Sequence, residues 1–158
     1  MANTVVLKAE VSKLQKELIA AEAITPGMLV ERNSDGKVQK HSTAGGNSLP
    51  MFPKEDALQG KGIDEDYASD DPVQVWYPGR GDEVYAILAD GENVSEGDFL
   101  ESNGAGYLQA YSSDSAAPSQ NPIVGVAKHD LNLTSSSGGE SSNIDYVGTN
   151  ARIKIEVA

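Results

Sequence analysis

The chain has 158 residues and no cysteine, which excludes disulfide bonds, thiolate metal sites and a cysteine nucleophile. Its formal net charge is −12, and the whole excess lies in residues 61–158, because residues 1–60 hold seven basic and seven acidic residues. Such a charge argues against binding to nucleic acid or to an anionic membrane. The 39% hydrophobic content with 16 Gly and 7 Pro favours a loop-rich β protein. We find no apolar run of about 18 residues and no basic leader, so we expect neither a membrane span nor a signal peptide.

Residues 1–20 are predicted to be an N-terminal arm, either extended or a short helix, and residues 21–158 a single β domain. The stretch "TVVLK" is typical of an extended segment. The following "VSKLQKELIAAEA" places Val11, Leu14 and Leu18 at helical spacing among strong helix formers. On local pattern alone, this second stretch favours a helix.

Two stretches of the chain repeat one pattern. Ile24–His41, the first copy, reads "ITPGMLVERNSDGKVQKH", and Val94–Tyr111, the second copy, reads "VSEGDFLESNGAGYLQAY". They align without a gap, with five identities in eighteen positions and matching apolar positions. Each copy is predicted to be a compact hairpin, and the pair indicates a small barrel with internal pseudo-symmetry. The alternative is that both stretches merely use the same common turn.

Glycines mark the turns of both copies, where a positive φ is required and a side chain is disfavoured. If the copies are equivalent, the aligned Leu29 and Phe99 point into the same core. The predicted turn glycines are Gly27, Gly36, Gly97 and Gly106.

Further strands are predicted at residues 73–77, 83–89, 122–128 and 151–157. The segment "EVYAILA" is apolar on both faces and is expected to be central. The last strand alternates strictly, which predicts one buried face. Polar loops without periodicity are predicted at residues 41–48, 112–122 and 133–143.

The chain carries no motif for catalysis or for phosphate binding, so we predict no catalytic residue, no cofactor and no metal. Its two histidines, His41 and His129, lack the spacing of a metal site. His41 is interpreted as a solvated loop residue and His129 as a solvated residue at the end of a strand. An acidic run at residues 62–71 raises the alternative of a calcium site, although its spacing departs from the EF-hand pattern. The candidate ligands are Asp64, Asp66, Asp70 and Asp71.

Taken in order, "ITPGMLVE", "EDALQGKGIDEDY" and "VYAILADGENVSEGDFLES", followed by "PIVGVAKHDLNL" and "ARIKIEV", resemble the head decoration or capsid cement proteins of tailed bacteriophages. The resemblance covers about residues 20–158. It implies a small β-barrel-like domain of the β-clip or β-tulip type, often trimeric, on the outer surface of the virion capsid. It implies no catalytic residues, and synthesis in the bacterial host cytoplasm.

The resemblance also implies partners, namely the major capsid protein and the chain itself as a homotrimer, with neighbouring capsid subunits clamped together. It implies that the terminal segment contacts the capsid, through apolar and basic residues. The predicted contact residues are Val5, Val6, Leu7, Lys8, Lys13 and Lys16. A surface adhesin or carbohydrate-binding module is the alternative, favoured if Trp76 is exposed beside Tyr77. A nucleotide hydrolase of similar fold is a further alternative, for which the sequence offers no motif.

Overall fold

The computed structural model describes residues 3–8, 14–113, 122–134, 146–147 and 150–158. The strands β1 to β7 are Val6–Lys8, Leu14–Ile19, Val30–Arg32, Val38–Lys40, Phe52–Pro53, Pro72–Tyr77 and Glu83–Ile87. The strands β8 to β14 are Asn93–Val94, Phe99–Ser102, Leu108–Ala110, Gly125–Ala127, Leu131–Asn132, Tyr146–Val147 and Asn150–Val157. Within these ranges the single helix is a 3-10 turn, Ala57–Gln59.

The strands form several antiparallel sheets. The largest has the order β1-β7-β14-β11-β9-β10, with β13 paired to β14 at one side. A second sheet has the order β2-β6-β5, and two small sheets pair β3 with β4 and β8 with β12. The prediction of a mainly β fold is confirmed. The sheets formed by the described residues stay open, so none of them is a closed barrel.

The last strand shows how sequence alternation produces the core. Ala151, Ile153, Ile155 and Val157 are all buried, as their spacing predicts. β7 lies between β1 and β14, so it is an interior strand paired on both sides, as its apolar composition indicated. The buried apolar residues fall into two clusters, one around β7, β9 and β14 and one around the first copy and β6.

The N-terminal region differs from its local pattern. Leu14–Ile19 is strand β2, which pairs along its whole length with β6, so the helical interpretation of this stretch is wrong. Pairing with β6 and burial of the adjoining Ala20 outweigh the helix propensity of Lys, Glu and Leu. The division into an arm at residues 1–20 and a domain at 21–158 stays a prediction.

The predicted loop at 41–48 is irregular in the structure, as expected. The other two predicted loops, 112–122 and 133–143, lie mostly outside the described residues. In the described part of the chain, the fold offers no helix of the length and apolarity that a bilayer crossing requires.

Candidate functional site at the paired hairpins

The two copies have the same strand register. β3 pairs with β4 so that Glu31 lies opposite Gln39, and β9 pairs with β10 so that Glu101 lies opposite Gln109. In each pair the glutamine Nε2 donates to the glutamate Oε1 over 2.9 Å. The identities at these positions therefore reflect one cross-strand hydrogen bond made twice.

The hairpin turns also have the same hydrogen bonds. Asn33 Oδ1 accepts from the backbone N–H groups two and four residues later, both at 3.0 Å. Asn103 Oδ1 accepts from the equivalent groups at 2.8 and 3.1 Å. Gly36 and Gly106 follow with φ of 76° and 83°, the left-handed conformation that closes the turn. The repeat is therefore a structural one and not a shared turn alone.

A glutamate ahead of each hairpin extends the repeat beyond the aligned window. The Lys40 N–H donates to Glu22 Oε1 at 3.0 Å, and the Ala110 N–H donates to Glu92 Oε2 at 3.0 Å. Sequence reasoning missed this pair, although the two glutamates stand at aligned positions just before Ile24 and Val94.

The surrounding strands repeat as well. The sheet order β2-β6-β5 around the first copy matches the order β7-β14-β11 around the second. The turn glycines lie at matching places on these sheets, because the Gly27 N–H donates to Pro53 O and the Gly97 N–H to Ala127 O, both at 2.9 Å. The described structure thus contains two related halves, the first from β2 to β6 (residues 14–77) and the second from β7 to β14 (residues 83–157). The sequence carried too few identities outside the hairpins to show it.

Burial separates the two copies. Every residue from Ile24 to Val30 is buried, whereas every residue from Ser95 to Phe99 is exposed. Leu29 is completely buried, but the aligned Phe99 is 50% exposed, so the expectation that both point into one core is wrong for Phe99. The reason is that the second half of the chain covers the first turn and nothing in the described residues covers the second.

The first turn is covered by strand β7, by the Arg152 side chain of β14 and by the tip of the second hairpin. Arg152 Nη1 donates to Pro26 O at 2.5 Å, and its Nη2 donates to Ile63 O at 2.7 Å. The Leu29 N–H donates to Gly106 O at 2.8 Å. Gly27 lies so close to Arg152 that no Cβ fits there.

Arg152 is the main polar link between the halves, since it is 2% exposed and also pairs with Asp64 at 3.0 Å. Burial lowers the pKa of Arg152, while the hydrogen bond and charge of Asp64 oppose that shift. A buried guanidinium with several oxygen partners fixes the relative position of the two halves. Strand alternation gave no sign of this role, because Arg152 stands where an exposed residue is expected.

His41 forms a second polar link. Its Nε2 donates to Asn47 O at 3.0 Å, and its Nδ1 shares a hydrogen bond of 2.7 Å with Ser102 Oγ. Glu31 Oε2 lies 3.7 Å from Nε2, so the three side chains are arranged in the order of a serine–histidine–acid triad. Ser102 is fully buried, and in this conformation no substrate reaches its hydroxyl. The arrangement therefore joins the two copies, and the interpretation of His41 as a solvated loop residue is wrong, because it is 2% exposed.

The residues predicted to contact a capsid lie in different environments. Val5 is fully buried in the core, and Val6 and Leu7 pack against that core. Lys8 is exposed and pairs with Glu83 at 3.0 Å. Lys16 is exposed on β2, with Nζ 5.7 Å from the Tyr77 ring centroid. The remaining residue, Lys13, lies outside the described residues.

The four acidic candidates for calcium each have a different protein contact. Asp64 pairs with Arg152, Asp66 accepts from Thr25, and Asp70 pairs with Lys37. Asp71 accepts from a backbone N–H of its own turn. Among the described residues, no group of three or more acidic or histidine side chains is arranged to hold a metal ion.

Comparisons with known proteins identify the fold. No family model matches the chain, and no curated protein matches it. Among solved structures, it is similar to the head fiber gp8.5 N base in bacteriophage phi29, with a TM-score of 0.55 and 11% sequence identity. The similarity covers 92% of this chain and 94% of that chain. At this identity, the finding establishes a shared fold across nearly the whole of both chains.

Proposed function

We propose that this chain is a structural protein of a tailed-phage head, which binds the outside of the capsid and stabilises the shell by clamping neighbouring major capsid subunits. The observation that carries the proposal is the fold shared with a phage head fiber base over nearly the full length of both chains. The order of motifs in the sequence supports it independently. Its partners are the major capsid protein and further copies of itself, as a homotrimer.

The exposed apolar side chains suit several separate contacts with a lattice. The exposed large apolar residues of the described structure are scattered over distinct elements: Ile19, Leu49, Leu58 and Phe99. Several weak contacts made at once by an oligomer give strong binding through multivalency, without one deep pocket. A substitution that removes one contact removes it from every chain of the oligomer, so its effect on binding is multiplied.

The carbohydrate-binding alternative lacks its main support. Trp76 is 1% exposed and belongs to the core cluster, so it does not form an exposed aromatic platform. Calcium binding by the acidic residues at 62–71 has no support in the geometry described above, and calorimetry with Ca²⁺ would measure it directly.

The proposal is tested with expanded empty heads of the phage that encodes the chain. We expect the purified protein to cosediment with these heads and to raise the temperature at which they rupture. Wild-type protein that leaves both measurements unchanged would contradict the proposal. Exposed Lys8 and Lys16 are predicted to contribute contacts, so charge reversal of both should lower occupancy, whereas reversal of Lys61 is the matched control.

A further inference from the structure

Within the chain, the first turn is buried against the second half. The equivalent pair of surfaces, one on each half, is exposed. The second turn, residues 95–99, is the equivalent of the first turn, which the second half of the chain covers. The surface of the second half that covers the first turn also has an equivalent in the first half. This equivalent surface is exposed.

The pairing of strands identifies the equivalent positions. Ile87 lies opposite Arg152 in the β7–β14 pair, and Ile19 lies opposite Pro72 in the β2–β6 pair. Ile87 is 2% exposed and packs in the cluster that holds Ile24 and Met28 of the first copy, whereas Ile19 is 41% exposed.

Two further positions that contact the first turn are covered in the second half, whereas their equivalents in the first half are exposed. Tyr85 of β7 is fully buried, and its equivalent on β2 is the exposed Glu17. Gly106 contacts Leu29, and its equivalent Gly36 is exposed with open space around it. We define the exposed receiving surface as Glu17, Ile19, Gly36 and Pro72.

We propose that the second turn of one chain docks on the receiving surface of a neighbouring chain, with Phe99 as the main apolar contact. This repeats between chains the contact already made between the two halves. It rests on the homotrimer in the proposed function and names the surfaces that build it. Ile19 and Phe99, two of the exposed large apolar side chains of the described structure, would both be covered.

The contact between the halves is not reciprocal, and this decides how chains would assemble. The first turn is covered by the second half, but the second turn is not covered by the first half. A head-to-tail contact of this type, repeated between chains, gives a closed ring or an open filament, never a symmetric pair. The homotrimer corresponds to a ring of three chains.

Charge determines the conditions for assembly. Glu96 and Asp98 on the second turn would approach Glu17 on the neighbouring chain, and Pro72 stands where Arg152 supplies the cation inside the chain. Like charges at an interface oppose association. The interface is therefore weaker than the one within the chain, and salt should strengthen it by screening.

Sedimentation of three variants tests the proposal. Phe99→Glu places a charge on the docking turn, and Ile19→Glu places one on the receiving surface. Leu58→Glu is the control, because Leu58 is 90% exposed and lies on the 3-10 helix, which belongs to neither surface. At about 0.5 M salt, where screening is short-ranged, we expect trimers for the wild type and Leu58→Glu. Phe99→Glu and Ile19→Glu should be monomers that still unfold in one cooperative transition, which shows that each chain remains folded.

Mixing the two defective variants tests the head-to-tail geometry. Phe99→Glu keeps an intact receiving surface and Ile19→Glu keeps an intact turn, so an equal mixture at about 1 mM should form pairs and nothing larger. The proposal would be overturned by a monomeric wild type, by a trimeric Phe99→Glu or Ile19→Glu variant, or by a mixture of these two variants that forms no pairs. Head binding is measured separately: a wild-type monomer that still decorates heads defeats this inference and the homotrimer but leaves capsid binding standing, and a trimer that does not decorate heads defeats only capsid binding.

Discussion

The first and second turns of the two hairpin copies have the same backbone conformation and opposite surroundings. Gly27 and Gly97 have φ of 88° and 95° and make equivalent hydrogen bonds to neighbouring strands. Yet the first turn is buried beneath Arg152 and the second is open to solvent. The comparison teaches that hairpin geometry is a local property, whereas the cost of changing a residue in it depends on what lies outside the hairpin.

The largest difference is expected for alanine at the two turn glycines. A Cβ at position 27 would collide with Arg152 and lie 2.8 Å from Tyr85 O, while a Cβ at position 97 has open space. Gly27→Ala should therefore lower the free energy of unfolding by about 4 kcal/mol, from backbone strain plus overpacking. Gly97→Ala should cost about 1 kcal/mol from strain alone. Urea unfolding measures both, and equal losses would refute the difference in surroundings.

A smaller difference is expected for the aligned apolar residues. Leu29→Ala should cost about 3 kcal/mol, because Leu29 is fully buried. Phe99→Ala should cost under about 1.5 kcal/mol in the monomer, since half of its surface is already in water. The measurement is denaturant unfolding at low salt. A larger loss for Phe99→Ala than for Leu29→Ala would contradict the burial described here.

Where the copies agree, substitutions should cost the same. Asn33→Ala and Asn103→Ala each remove an acceptor for two backbone N–H groups of a hairpin tip, so each should cost about 1 kcal/mol. Thermal unfolding of the two variants tests whether the hairpins are energetically as well as geometrically alike. Losses that differ by more than about 1 kcal/mol would show that the contact between Gly106 and Leu29 alters the energy of the second hairpin tip.

The smallest expected effect is the loss, in acid, of the stability contributed by the Glu31 carboxylate. Burial opposes ionisation of this carboxyl, but hydrogen bonds from Ser42 and Gln39 and the nearby His41 outweigh it, so the pKa of Glu31 lies below its ordinary 4.5. A lowered folded-state pKa stabilises the fold at pH above 4.5 and loses that contribution as pH falls through the folded value.

Glu31→Gln should accordingly be slightly less stable than wild type at neutral pH, and the difference should shrink in acid. Urea midpoints measured for both proteins from neutral pH to below pH 4.5 provide the check. The matched control is Glu65→Gln, because the Glu65 carboxylate is exposed and accepts only from the Gly62 N–H among the hydrogen bonds described. A constant gap between Glu31→Gln and wild type would rule out the titration of Glu31 as its cause.

The sequence by itself determined the local structure of this protein. Glycine, asparagine and alternating apolar residues act over a few positions, so the hairpins, their positive-φ turns and the buried face of β14 follow from short patterns. The absence of cysteine and the acidic charge are likewise properties of the sequence alone.

Only the tertiary structure decided which copies of a local element are covered. Leu14–Ile19 is a strand because β6 is available to pair with it, and Arg152 is buried because carbonyl oxygens distant in sequence converge on it. His41 is buried for the same reason, since Ser102 approaches it from the other half. Long-range contacts of this kind leave no periodic pattern in the sequence, because each depends on the packing of two segments that are far apart in the chain.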